Sequence, residues 1–155
     1  MLRKIVLLLL FLPFVANAQI EQSLQLKIAI LKSFSEKGEK GEELFWQTKG
    51  KITFAIVNYT DAQNPVFKDL FISQYKEIMP VFLEMAKTQS ETSTQTFVQL
   101  LIRHEDDYRK LLTNEQLLLY RNKLTELETT DPKLSESYSS LYFSDALLKL
   151  YKASF

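Results

Sequence analysis

The sequence predicts an all-α fold, an antiparallel bundle of five or six helices that follows a cleaved signal peptide. Three observations carry that prediction. Apolar residues recur at helical spacing in successive segments from Ile20 onward. Two segments open on a capping residue followed by proline, Asn64-Pro65 and Asp131-Pro132. Only one stretch alternates like a strand, and it has no second strand to pair with.

The first helix is expected from about Ile20 to Lys37, with Ile20, Leu24, Ile28, Leu31 and Phe34 on one face. All three glycines fall between Gly38 and Gly50, in a stretch that opens rich in Glu and Lys, and this stretch is the expected mobile loop. Residues 42 to 62 read two ways. Ile52 to Tyr59 alternates and is β-branched, as in a strand. As a helix, Phe45, Ile52, Ile56 and Tyr59 share a face, with Gly50 inside it at about 1 kcal/mol. A lone strand leaves its backbone groups unpaired, so helix is the expectation.

Asn64 and Pro65 open a third helix, in which Phe67, Phe71, Tyr75, Ile78, Phe82 and Met85 keep helical spacing through Pro80, with a kink expected there. A fourth helix is expected from about Thr94 to Leu111, carrying Phe97, Leu101, His104, Tyr108 and Leu111. A fifth runs from Thr113 to about Glu128 with Leu117, Tyr120, Leu124 and Leu127. The last, Pro132 to Lys152, presents Leu134, Tyr138, Leu141, Leu148 and Tyr151. It is apolar around most of its circumference, as expected of the central helix or of a segment that covers a partner. Short linkers favour antiparallel neighbours.

The N-terminus reads as an export signal. Arg3 and Lys4 precede an eleven-residue apolar run, Ile5 to Val15, and Ala16-Asn17-Ala18 offers the small residues that a signal peptidase reads. The run is shorter than the ~20 residues that a spanning helix needs. Residues 1–18 are thus the expected signal peptide and 19–155 a single helical domain. Periplasmic or secreted localisation in a bacterial envelope follows, with no transmembrane segment in the mature chain. No cysteine follows the apolar run, so a lipid-anchored route is closed.

Composition excludes several chemistries. Cleavage removes two of nineteen basic residues and leaves a net charge of −2, without the basic stripe of a nucleic-acid binder. The absence of cysteine removes disulfides, thiolate metal sites and cysteine nucleophiles. There is no G-x-S-x-G turn and no phosphate-binding glycine loop. His104 and Asp107 share a helix side, but the chain has one histidine and a metal site needs three or four ligands. A hydrogen-bonded core histidine is the expectation. No catalytic residue, cofactor or metal is expected, and the chain reads as non-enzymatic.

The most motif-like string is Leu112-Thr113-Asn114-Glu115-Gln116-Leu117. Thr113 and Gln116 form a capping box, and Leu112 and Leu117 a hydrophobic staple. The residues Leu112, Thr113 and Gln116 also match L-T-x-x-Q, the signature of the small periplasmic helical proteins of the Spy/CpxP type, which are chaperones and envelope-stress sensors. The chain resembles that group over this motif, in size and in its signal. A second copy at Leu124-Thr125-Glu126-Leu127-Glu128 has Glu in the Gln position. The resemblance implies a partner that is another protein. Tyr138, Tyr142, Phe143, Tyr151 and Trp46 are the expected contacts, because tyrosine and tryptophan suit half-wet interfaces. The alternative is a carrier of a small apolar ligand held between helices lined by Phe67, Phe71, Phe82 and Tyr75.

Overall fold

The computed structural model describes the backbone from Leu2 to Phe155 and the side chains from Asn17 onward. The expected signal, residues 1–18, falls almost wholly outside the described side chains. Among the described residues there are seven helices and no strand. They are α1 (Leu2–Ser35), α2 (Lys40–Val57), α3 (Asn64–Thr88), α4 (Glu91–Lys110), α5 (Asn114–Thr130), α6 (Pro132–Ser139) and α7 (Asp145–Ser154). No described helix is long and apolar enough to cross a membrane.

The ambiguous stretch is helical. α2 ends at Asn58, whose φ of 48° lies in the left-handed region that asparagine tolerates, and Asn58 N–H bonds the Phe54 carbonyl. Tyr59 therefore sits in the following linker rather than on the helix. The expected mobile loop is instead a tight turn, and helix resumes at Lys40. Gly41 is buried because α1 and α3 close on it: a Cβ there would lie 2.3 Å from the Phe34 carbonyl oxygen and 2.4 Å from the Tyr75 hydroxyl. That glycine serves close approach, not mobility.

α3 runs unbroken through Pro80. α4 starts three residues before the expected Thr94, because Ser90 caps it by accepting the Ser93 N–H. Asp131 caps α6 in the same way by accepting the Leu134 N–H, with Pro132 in the first turn.

The expected single C-terminal helix is two helices. Ser144 caps α7 through the Leu147 N–H, and residues 140 to 144 cross the interior as irregular chain. The reason is steric. A helix would turn one of the consecutive residues Leu141, Tyr142 and Phe143 outward, whereas the irregular chain buries Tyr142 and Phe143 together, at 0% and 2% exposure.

α2 packs most extensively on α3, and α3 on α4; α1 touches α2, α3, α6 and α7. The core they enclose is aromatic. Tyr108 meets Phe67, Phe71, Tyr120 and Tyr142 at ring-centroid distances of 5.1 to 5.9 Å. Edge-on and tilted rings of this kind add about 0.5–1.5 kcal/mol per pair beyond the area they bury.

Candidate functional site

The interior holds an unusual group of charges where the irregular segment crosses it. Lys27 and Lys49 are 1% and 5% exposed, and Glu105 is 3% exposed. Each interrupts an apolar stripe. Lys27 follows Ile20 by seven residues and precedes Phe34 by seven, Lys49 lies between Phe45 and Ile52, and Glu105 lies between Leu101 and Tyr108.

Lys27 and Arg109 answer a backbone need. The carbonyls from Ser139 to Phe143 lie at or past the end of α6 and before α7, and buried carbonyls must find donors. Lys27 Nζ donates to the Ser139 and Tyr142 carbonyls at 2.7 and 2.8 Å and lies 3.9 Å over the Phe143 ring. Arg109 donates to the Phe143 carbonyl at 2.8 Å and also binds Glu105 and Asp145. The Tyr142 hydroxyl donates to the Lys49 carbonyl, so Thr53 Oγ1 is the donor in the 2.7 Å bond that returns to it. Lys49 Nζ donates to Gln74 Oε1 at 2.9 Å and faces the rings of Phe45, Phe71 and Tyr142. Gln74 passes the connection on through its amide N–H to the His104 carbonyl.

Burial sets the charge states. Desolvation lowers the Lys27 ammonium from 10.5 to about 7, against the pull of Glu105 and with help from Lys49. It lowers Lys49 to about 8, again against Glu105. Burial also lowers His104 to about 4, although Glu77 accepts its Nε2 hydrogen at 2.8 Å. That contact is therefore a neutral imidazole donating to a carboxylate at neutral pH, not an ion pair. Burial pulls the Asp145 carboxyl up, but hydrogen bonds from Arg109 and Arg121 outweigh it and hold the group below its ordinary value. The buried hydroxyls of Tyr120 and Tyr142 are pushed well above the usual phenol range.

Lys27, Lys49, His104 and Glu105 all line one cavity of about 30 Å3. That is room for only a water molecule or two. A substrate of ordinary size does not fit, so this group of charges is suited to holding the C-terminal segment against α1, α2 and α4. Sequence reading overlooked it, although polar residues in otherwise apolar helical faces were its visible trace.

The motif residues lie at the start of α5. Thr113 accepts the Gln116 N–H and Gln116 Oε1 accepts the Thr113 N–H, completing the capping box. The Gln116 carboxamide pairs reciprocally with that of Gln63, both bonds 2.9 Å, so the motif ties α5 to the linker ahead of α3. Leu112 is buried and Leu117 is partly buried against the core. His104, Asp106 and Asp107 do not converge: Asp106 pairs with Lys152, Asp107 with Lys110, and no described group of three or more acidic or histidine side chains is placed to hold a metal.

The expected contact residues divide. Tyr142, Phe143 and Tyr151 are core residues, with Tyr151 donating to the Ile20 carbonyl at 3.3 Å. This corrects the expectation that they face a partner; the interior polar network satisfies their polar atoms instead. Tyr138 and Trp46 are half-buried. Trp46 lies on the outer face of α2, where Lys68 Nζ from α3 stands 4.5 Å over its ring.

Two open troughs sit side by side along α3 and α4, about 450 and 560 Å3 in volume, sharing Pro80, Val81 and Thr96. One is rimmed by Ser and Thr hydroxyls, and the other by Lys76, Glu77 and Arg103. Pro80 has no N–H to return to the Lys76 carbonyl four residues earlier. A backbone acceptor without its usual helical partner thus lies beside the trough.

No family model matches the chain, and neither a curated protein nor a solved structure is significantly similar to it.

Proposed function

We propose that the chain is an exported, non-enzymatic antiparallel helical bundle that binds other polypeptides in or beyond the cell envelope, as a chaperone, stress sensor or complex subunit. The observation that carries this reading is the paired trough along α3 and α4. It is open and lined by Pro80 and Val81, with hydroxyl and charged side chains beside them. Such a groove offers apolar contact to alternate side chains of an extended segment and hydrogen-bonding groups to its backbone, the two requirements of peptide recognition. The export signal and the L-T-x-x-Q resemblance support the same reading.

The packing of the interior favours surface binding over carriage of an internal ligand. Phe67, Phe71 and Phe82 are 1%, 0% and 3% exposed and spend their ring faces on one another and on neighbouring aromatics. Tyr75 packs against Phe45.

The test combines function and location. A photo-cross-linker at exposed Thr96 is expected to capture an unfolded client whose aggregation the purified chain delays. The exported form is expected to begin at Gln19. No delay at molar excess together with no cross-link refutes polypeptide binding at this groove, and a form that keeps Met1 refutes export by cleavage.

A further inference from the structure

The outer face of α2 carries a pocket of about 290 Å3, lined by Trp46, Gln47, Gly50, Lys51, Phe54 and, from the linker, Tyr59. Gly50 is its informative residue. Crowding explains Gly41, but a Cβ on Gly50 would meet only the Tyr59 hydroxyl, at an ordinary 3.7 Å, and its φ is not in the left-handed region. Glycine inside a helix is about 1 kcal/mol less favourable than alanine. Neither packing nor backbone conformation calls for it here. What the missing side chain does is leave the floor open between Trp46, one turn before, and Phe54, one turn after.

The walls are aromatic and the rim is cationic. Phe54 is 51% exposed and meets Tyr59 edge-on at 5.4 Å. Lys51 lines the pocket, Lys68 stands over Trp46, and no carboxylate is among the lining groups. One Gln47 amide N–H is engaged by Glu43 at 2.9 Å. A sugar ring would find only Lys51, the rest of the Gln47 carboxamide and the Tyr59 hydroxyl as polar partners among three aromatic walls, and a quaternary ammonium would meet two like charges. A flat apolar ring carried beside a negative charge fits all these features.

We infer that this pocket binds an aromatic side chain of another polypeptide with an acidic residue next to it. The ring enters over Gly50 between Trp46, Phe54 and Tyr59, and the carboxylate pairs with Lys51. The site shares no lining residue with the α3–α4 troughs and stands whether or not they bind clients.

Trp46 is the only tryptophan of the chain, so its emission reports this pocket alone. The full chain is titrated with the capped peptides Asp-Phe-Asp, Asp-Ala-Asp and Lys-Phe-Lys and with an N-acetylglucosamine oligomer, following fluorescence and heat. Saturable binding of Asp-Phe-Asp is expected, weakened about tenfold or more in Gly50→Leu, which fills the floor, and in Phe54→Ala, which removes a wall. Lys51→Glu is expected to abolish the preference for the acidic peptide. Phe54→Ala alters an exposed side chain, so it keeps the test valid should Gly50→Leu not fold. No saturation at millimolar peptide overturns the proposal. So does equal binding of the alanine or lysine peptide, unchanged binding in both pocket variants, or binding of the sugar alone.

Discussion

Replacing Lys27 with methionine separates two effects that the native chain combines. The ammonium supplies the hydrogen bonds to the Ser139 and Tyr142 carbonyls, and it is a charge held out of water. Its folded value of about 7 lies below the 10.5 of the unfolded chain, so the unfolded state binds more protons across that interval. Stability from this group is therefore lowest below pH 7 and rises as pH climbs toward 10.5. Integrating the linkage relation from pH 7 to pH 9 gives a gain of about 2 kcal/mol from Lys27. Lys49, lowered to about 8, adds about 1 kcal/mol in the same direction. Lys27→Met deletes the larger part of that slope, whatever the loss of its two hydrogen bonds does to absolute stability at pH 7. Urea unfolding at pH 7, 8 and 9, followed by helical circular dichroism, reads the difference directly. The native chain is expected to gain about 2 kcal/mol on the variant across this range. Parallel pH profiles for the two proteins would refute a charged, desolvated Lys27.

His104 has the same sign at lower pH. With the folded imidazole at about 4 and the unfolded at 6.5, stability is present above pH 6.5 and about 2 kcal/mol is lost by pH 4.5; His104→Gln, which keeps a donor for Glu77, is expected to flatten this loss in thermal melts. The glycines give opposite results on substitution. Gly41→Ala is expected to destabilise by at least 1–3 kcal/mol, because its Cβ meets backbone at 2.3 Å, whereas Gly50→Ala is expected to stabilise by about 1 kcal/mol; equal effects in denaturant titrations would contradict both assignments. Gln116→Ala is expected to remove about 1–2 kcal/mol through the lost box and the orphaned Gln63 amide, and Gln63→Ala combined with it should add little further in a double-mutant cycle.

Local physics was legible in the sequence wherever the cause lay within a few residues. The Thr113–Gln116 box, the Asp131 cap and the helical face of α3 through Pro80 each depend on neighbours along the chain. The errors arose where distant chain decided. Gly41 looked like a flexible linker residue because nothing nearby announces that Phe34 and Tyr75 close over it. Leu141-Tyr142-Phe143 looked helical because helical spacing extends on both sides, yet the interior buries Tyr142 and Phe143 together only as irregular chain, with Leu141 partly covered.

The amino-acid sequence by itself determined an all-helical chain, most helix starts, and the absence of cysteine chemistry, because propensity, capping and composition act locally. It also displayed Lys27, Lys49, Gln74 and Glu105 in apolar faces without saying why. Only the tertiary structure decided that they converge. The irregular segment leaves carbonyls that must be bonded, and side chains distant in sequence, Lys27 on α1, Arg109 on α4 and Tyr120 on α5, lie near enough to donate.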